Sequence, residues 1–108
     1  MIRTVTMALA GIVILSSGAF AQSAEKGKEL YTAQKCSICH SVGAVGNKKG
    51  ALDKVGAKLS AADIRSWITA APEMTAKAKA ERKPAMKAYT ALSTEDVDNL
   101  VAYLQTLK

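Results

Sequence analysis

The sequence predicts an all-α domain of three main helices joined by irregular segments. Two segments carry apolar residues at helical spacing, three serines stand where helices can begin, and no segment alternates apolar with polar residues as a half-buried strand does. The chain has 108 residues, of which 49% are hydrophobic and 22% are charged. These values are ordinary for one small globular domain and exclude a disordered chain.

Three serines mark the starts of the predicted helices, which cover residues 24–35, 61–70 and 94–107. A serine side chain at this position accepts a hydrogen bond from a free backbone N–H of the first turn. The caps are, in chain order, Ser23, Ser60 and Ser93. The second and third helices each have an apolar stripe, formed by Ile64, Trp67 and Ile68 and by Val97, Leu100, Val101, Leu104 and Leu107.

The two segments between these helices are predicted to be irregular. Residues 41–59 contain four glycines, and residues 71–92 contain both prolines of the chain. Pro72 is expected to end the second helix, because proline disfavours helical backbone in the residue before it. Good helix formers over residues 76–83 predict one additional short helix.

Residues 1–21 have the pattern of a secretory signal peptide. Arg3 supplies a positive charge, residues 5–15 form an apolar run, and Ala19-Phe20-Ala21 places small residues at a cleavage site. The rival interpretation is a membrane anchor, but a spanning helix needs about 20 apolar residues and this run is about half as long. The sequence therefore predicts cleavage after Ala21, export to the periplasm, and a single domain over residues 22–108.

The segment Cys36-Ser37-Ile38-Cys39-His40 carries the chemistry of the chain. It contains both cysteines and the single histidine, in the C-x-x-C-H spacing that attaches a c-type haem. Two thiols three positions apart can bond to the two vinyl groups of one macrocycle, and the following imidazole can then reach the iron. A domain this small usually needs such a covalent or metal-based link for stability.

Three other uses of this motif fit the chain less well. A structural zinc site needs four ligands, and this chain has two cysteines and one histidine. A redox-active C-x-x-C pair is expected beside a strand in a βαβ unit, and no strand is predicted before Cys36. A disulfide between Cys36 and Cys39 would close a very short loop and constrain little. One covalent haem c, with His40 as the proximal iron ligand, is the prediction.

The sixth ligand is predicted to be a methionine. With one histidine, the chain cannot supply two imidazoles, and Met/His ligation suits electron transfer because it raises the reduction potential. Met86 lies in the proline-containing segment Lys83-Pro84-Ala85-Met86-Lys87, shortly before the last helix, and is the preferred candidate. Met74 is the alternative, and the one that does not bind iron is expected to fill space in the core.

Residues 24–108 resemble a small bacterial class I cytochrome c, which carries one haem. The resemblance rests on the haem motif, Gly27, Tyr31, Gly50-Ala51-Leu52, Trp67-Ile68, Met86 and Leu100-Val101-Ala102-Tyr103-Leu104. It implies a cytochrome c-like fold wrapped around one haem, in which the first and last helices cross closely at Gly27. It also implies transfer of single electrons between redox partners. Trp67 and Tyr89 are expected to line the haem pocket.

One difference from that family concerns the proximal side of the haem. The family usually has a proline after the motif, whose carbonyl accepts the proton of the proximal imidazole. This chain has Ala51 at the corresponding place, and a backbone carbonyl there can still accept the proton.

The charge distribution predicts which partners the chain meets. The formal net charge is +6, and basic residues concentrate near the proposed ligand at Lys77, Lys79, Arg82, Lys83 and Lys87, with Lys48 and Lys49 in the other irregular segment. A positive rim around a haem edge would steer docking to acidic redox proteins. Nucleic-acid binding is disfavoured because aromatic residues do not alternate with these charges. The protein is expected to be a monomer without a membrane span after cleavage.

The resulting functional hypothesis is a periplasmic monohaem electron carrier without catalytic residues of its own. Two alternatives stay open at this point. In the first alternative, the chain is the electron-accepting subunit of a periplasmic dehydrogenase. In the second, it is a haem protein that binds a small ligand at an open sixth site.

Overall fold

The computed structural model describes residues 23–108, and the predicted signal peptide lies outside that range. Helices dominate the described chain, so the prediction of an all-α domain is confirmed. The elements in chain order are α1 (Ala24–Ala33), β1 (Ser41–Val42), β2 (Val45–Gly46), α2 (Val55–Lys58), α3 (Ala61–Thr69), α4 (Ala71–Ala78) and α5 (Thr94–Gln105). Two short 3-10 turns, Cys36–Ile38 and Lys48–Gly50, lie between α1 and α2.

The three predicted helices are α1, α3 and α5, and each begins as the sequence predicts. The hydroxyls of Ser23, Ser60 and Ser93 each accept a hydrogen bond of 3.1 Å from the backbone N–H three residues later. Such a bond satisfies one of the N–H groups that a first helical turn leaves free. Helix α1 ends at Ala33, before the predicted position, because Lys35 has a left-handed backbone with φ of 58°.

The prediction that residues 71–92 form an irregular connection is wrong for their first part, which is α4. Pro72 lies in the first turn of α4. Proline fits there because a first-turn N–H has no partner within the helix, so the residue that ends one helix also begins the next. The short helix predicted over residues 76–83 therefore starts earlier and ends at Ala78, where Lys79 turns the chain with φ of 52°.

Residues 41–59 are more regular than predicted. The strands β1 and β2 form an antiparallel hairpin in which Ser41 pairs with Gly46 and Val42 with Val45. Strands of two residues are too short to show alternation in a sequence. The chain reverses through Gly43, whose φ of 59° suits glycine, and this turn makes the hairpin possible.

The core forms where α1 crosses α5. The closest approach is at Gly27, where a Cβ would collide with the backbone carbonyl of Asn99 and come within 2.7 Å of the Tyr103 Cβ. The rings of Tyr31 and Tyr103 meet edge to face with centroids 5.7 Å apart. The crossing predicted from the resemblance is therefore present, and only a residue without a side chain fits at position 27.

The helices α3 and α5 complete the core. Ile64 and Ile68 of α3 are buried and pack in one cluster with Tyr31, Val97, Leu100, Val101, Tyr103 and Leu104. Arg65 and Asp98 form an ion pair between the same two helices. No helix of residues 23–108 is long and apolar enough to cross a membrane.

Candidate haem site

The motif residues are brought together by a tight turn directly after α1. The left-handed Lys35 redirects the chain, and residues Cys36–Ile38 then form a single 3-10 turn. The carbonyl oxygen of Cys36 accepts hydrogen bonds from the N–H groups of Cys39, at 3.1 Å, and of His40, at 2.8 Å. Both cysteines are free thiols and half-buried, so one turn presents two thiols and an imidazole.

The imidazole of His40 has one defined partner. Its Nδ1 lies 2.9 Å from the carbonyl oxygen of Gly50. A carbonyl oxygen only accepts, so Nδ1 carries the proton and Nε2 keeps its lone pair for a metal ion. Burial lowers the pKa of the imidazole below its ordinary value of 6.5 and outweighs the bond to Gly50, which raises it; the nearby Arg82 charge lowers it further. His40 is therefore neutral at neutral pH, as an iron ligand must be.

The acceptor for His40 is Gly50 and not Ala51, which the resemblance places at the family's proline. A Cβ at position 50 would collide with the carbonyl oxygen of Cys39 and would come within 2.9 Å of the His40 Nδ1. Glycine at this position lets the backbone approach the imidazole closely. Ala51 follows immediately and forms an isolated parallel bridge with Ser41, which holds this segment beside the motif.

Asn47 braces the motif, and the sequence analysis did not identify it. Its backbone N–H donates to the carbonyl oxygens of Ser37, at 3.1 Å, and His40, at 2.9 Å, and its side-chain Nδ2 donates to the Ile38 carbonyl at 3.2 Å. Its Oδ1 also accepts from the N–H of Lys49 and so caps the turn that ends at Gly50. The only sequence signal for this role was an asparagine placed before a short polar run.

Tyr31 and Tyr89 lie near the thiol of Cys36, which packs against the core cluster. Burial raises the pKa of this thiol, and burial together with Cys36 raises the pKa of Tyr31 to about 12. The hydroxyl of Tyr31 is buried and has no hydrogen-bond partner within residues 23–108. Tyr89 is half-buried against the core, and Trp67 is half-buried on α3.

The two candidate methionines lie in different surroundings. Met74 belongs to the first half of α4, where its N–H donates to the carbonyl oxygen of Ala70 at 3.1 Å. Met86 lies in the non-helical segment between α4 and α5 and is half-buried. Met86 thus lies on a connecting segment and Met74 on a helix, and both side chains are half-buried.

A cationic cleft opens beside Cys39. It has a volume of about 550 Å³, and its lining contains no carboxylate. It is lined by Ile38, Cys39, Asn47, Lys49, Arg82, Lys83 and Pro84. Of the predicted basic rim, Lys49 comes from one irregular segment and Arg82 and Lys83 from the other. Lys77 and Lys79 are not among the residues that line it, and the Lys87 Nζ lies 5.1 Å from the centre of the Tyr89 ring.

The donor set of this site fits a covalently attached haem. Two free thiols and an imidazole with an available Nε2 meet within one turn, and glycine leaves space beside the imidazole. In the described part of the chain, no three His, Cys, Asp or Glu side chains form a group that could hold a metal ion. When bound, a haem would bring its own iron and its own ring ligands, and the chain would supply the thiols and the imidazole.

Comparison with known proteins agrees with this donor set. The cytochrome c family model matches residues 24–108, a range that contains the motif and every helix and strand of the described residues. Neither the curated proteins nor the solved structures gave a match. The matched range covers most of the 108 residues. The chain therefore belongs to the cytochrome c family, as a small class I member that binds haem c covalently and transfers electrons.

Proposed function

We propose that the protein is an exported monohaem electron carrier of the periplasm. In this proposal Cys36 and Cys39 form the thioether links, His40 is the proximal iron ligand and Met86 the distal one. The carrier accepts one electron from a donor protein and passes it to an acceptor protein, both with acidic docking surfaces. When bound, the haem supplies an iron that cycles between the ferric and ferrous states.

The observation that carries the proposal is the hydrogen bond from the His40 Nδ1 to the Gly50 carbonyl. This bond fixes the tautomer and the orientation of the imidazole, and it makes Nε2 a better electron donor to a metal ion. Helices α1 and α5 hold the preceding turn in place through the crossing at Gly27. The ring is thus oriented by the folded chain before any electron arrives.

The thiols of Cys36 and Cys39 make the attachment without a leaving group. Each S–H would add across one vinyl double bond of the haem, so that a C–S bond forms on one carbon and the thiol hydrogen moves to the other. This addition would consume no oxidant or reductant. The covalent links also restrain the segment that follows α1, which is useful in a domain with so small a core.

The cationic cleft supports the proposal that the redox partners have acidic docking surfaces. Lys49, Arg82 and Lys83 line this cleft together with Cys39 and Ile38, and Ile38 is 65% exposed. Cations around an apolar centre attract a carboxylate-rich surface and then allow close contact. Docking there brings the partner to the edge of the site that carries the second cysteine.

Replacement of both cysteines tests the attachment. The variant Cys36→Ala/Cys39→Ala is expected to lose covalently bound haem and to fold poorly, whereas Ser37→Ala should keep the haem. Haem staining of a denaturing gel separates the outcomes. A wild-type band without haem stain would show that the motif does not attach the cofactor.

Replacement of the methionines tests the distal ligand. Met86→Ala should abolish the sulfur-to-iron charge-transfer band of the oxidised protein and lower the reduction potential, because thioether sulfur favours ferrous iron. Met74→Ala should keep the band and cost only packing, at most a few kcal/mol. The reverse result would assign Met74, and carbon monoxide binding to the reduced wild type would favour an open sixth site.

The location and state of the carrier are tested by mass and by purification. Periplasmic protein should have the mass of residues 22–108 plus one haem. A mass that includes residues 1–21 would instead favour an anchor. Elution as a monomer supports the carrier, and stable co-purification with a dehydrogenase would support the subunit hypothesis.

A further inference from the structure

Residues 81–92 form most of the connection between α4 and α5 and carry Met86, yet few hydrogen bonds attach them to the rest of the fold. Within residues 23–108, their one backbone hydrogen bond runs from the N–H of Tyr89 to the carbonyl oxygen of Ile68, over 2.8 Å. Residues 81–86 are exposed except for Met86. Within the described residues, the backbone-to-backbone attachment of this segment therefore rests on one residue, three positions after Met86.

The acceptor of this bond lies in the last turn of α3. The last four carbonyls of a helix have no partner within it, and a buried unpaired carbonyl is unfavourable. Ile68 is 2% exposed, so its carbonyl has little access to water. The N–H of Tyr89 satisfies it, which makes the bond useful to both α3 and the connecting segment.

The ring of Tyr89 adds a second attachment. It is half-buried and packs against the core cluster, and the Lys87 Nζ lies 5.1 Å from its centre. An ammonium group over an aromatic ring is attracted to it. The pKa of Tyr89 is raised first by burial and then by Cys36 and Cys39, so the ring lies on the side of the core that holds the motif. Both contacts restrain the backbone next to Met86.

We propose that Tyr89 is the positioning residue of the distal segment: its amide and its ring fasten residues 81–92 to α3 and thereby hold Met86 in place as a ligand. This inference rests on the proposed function, because it takes Met86 as the distal ligand. Tyr89 acts through Met86 and does not bind iron itself. Lys87 assists by lying over the ring.

Hydrogen exchange of the reduced holoprotein tests the amide contact without reference to the ligand. Among the amides of residues 81–92, that of Tyr89 should exchange the slowest, at least tenfold more slowly than that of Ala85. Equal exchange across the segment would show that the bond to Ile68 does not hold it, and would overturn the proposal.

Competition by imidazole tests the positioning role in the oxidised holoprotein. An external ligand binds when Met86 leaves the iron, so its apparent affinity reports how often the segment opens. Tyr89→Ala should raise the imidazole affinity at least tenfold and weaken the charge-transfer band on warming. Tyr89→Phe keeps the amide and the ring and should stay within about twofold of wild type.

Two further variants separate positioning from general destabilisation. Leu92→Ala removes another side chain of the same segment that packs against the core, and it should lower the melting temperature while leaving the imidazole affinity within twofold. Lys87→Gln removes the charge over the ring and should raise the affinity two- to threefold. If Tyr89→Ala does not fold, the imidazole affinity of Lys87→Gln and the hydrogen exchange of the wild type still test the positioning role. Equal effects of Leu92→Ala and Tyr89→Ala would overturn the proposal.

The failure of this inference can be told apart from failure of the distal assignment. If Met86→Ala keeps the charge-transfer band, Met86 is not the ligand, and the assignment falls together with the positioning role. If Met86→Ala loses the band while Tyr89→Ala binds imidazole as wild type does, only the positioning role falls.

Discussion

The Nδ1 of His40 lies 2.9 Å from the carbonyl oxygen of Gly50, in a place that no larger residue can occupy without moving the backbone. Gly50 thus has two roles, because it supplies the acceptor that orients the imidazole and leaves the space in which that acceptor sits. The cap that Asn47 places on the preceding turn holds Gly50 against the motif.

Replacing Gly50 with alanine should disturb the proximal side. The new Cβ would collide with the Cys39 carbonyl, so the backbone must shift and the bond to His40 must lengthen. We expect a loss of about 1–3 kcal/mol in the free energy of unfolding. The reduction potential should rise, since a weaker bond makes the imidazole less electron-rich.

Denaturant unfolding and redox titration measure both effects, and Gly43→Ala is the control. A methyl group at position 43 would have no other atom within 4 Å, but the φ of 59° there disfavours alanine. That variant should therefore lose about 1 kcal/mol from strain and keep the potential of the wild type. A shifted potential in the control alone would contradict our account of Gly50.

The variant Gly27→Ala should destabilise the crossing of α1 and α5. An alanine there would collide with the Asn99 carbonyl, and neither helix can yield without separating from the other. The loss should be about 1–3 kcal/mol, which lowers the melting temperature by several degrees in a domain of this size. Thr32→Ala, on an exposed part of α1, should change it little. Similar melting of the two variants would disprove the close contact.

Charge reversal should slow electron transfer only where it alters the cationic cleft. Lys49→Glu/Lys83→Glu and Lys77→Glu/Lys79→Glu make the same change in net charge, but only the first pair lines the cleft. Stopped-flow transfer to an acidic blue-copper protein at low salt should be several-fold slower for the first pair than for the second. The difference should shrink as ionic strength passes about 0.15 M, where the Debye length is about 8 Å.

Equal slowing by both pairs would instead indicate a diffuse effect of net charge. The double variants should unfold at temperatures close to that of the wild type, because all four lysines are exposed.

The stability of the holoprotein should fall as the pH rises above about 10. Burial and, to a smaller extent, the Cys36 thiol raise the pKa of Tyr31 from 10.0 to about 12. Because burial is the largest cause, the pKa stays raised when Cys36 is a thioether, and above about pH 10 the unfolded chain releases a proton that the native state retains. The contribution of Tyr31 to the free energy of unfolding is therefore fully present below pH 10, the pKa in the unfolded chain. It decreases as the pH rises toward the pKa in the folded protein, by at most about 1.4 kcal/mol per pH unit for one group.

Denaturant unfolding at several values between about pH 9 and pH 12 measures this slope. Tyr31→Phe should reduce it, and the part that remains should reflect Tyr89 and Tyr103, whose pKa values are also raised by burial. An unchanged slope in Tyr31→Phe would show that the phenol of Tyr31 ionises as easily in the folded protein as in the unfolded chain.

The sequence alone determined the features that depend on near neighbours in the chain. Ser23, Ser60 and Ser93 cap helices through bonds to the third residue on, and such local contacts are visible as a spacing. The motif at Cys36, Cys39 and His40 is equally local. The resemblance to the cytochrome c family could be seen in the sequence because this spacing is the one that attaches a c-type haem.

Pro72 shows where local reasoning stops. A proline is compatible both with the end of one helix and with the first turn of another. Whether a second helix follows the proline depends on what the next residues pack against. The sequence therefore predicted the end of α3 correctly and missed the start of α4. The hairpin at Ser41–Val42 and Val45–Gly46 was missed because its strands are too short for a pattern.

Only the tertiary structure decided which distant residues meet. Gly50 rather than Ala51 faces His40, Lys49 joins Arg82 and Lys83 at one cleft, and the amide of Tyr89 reaches the end of α3. Each of these contacts joins segments that are separate in the chain. The sequence offers many other residues that could accept the same hydrogen bond or lie beside the same charge. The packing of α1, α3 and α5 selects among them, because it fixes where each connecting segment must pass.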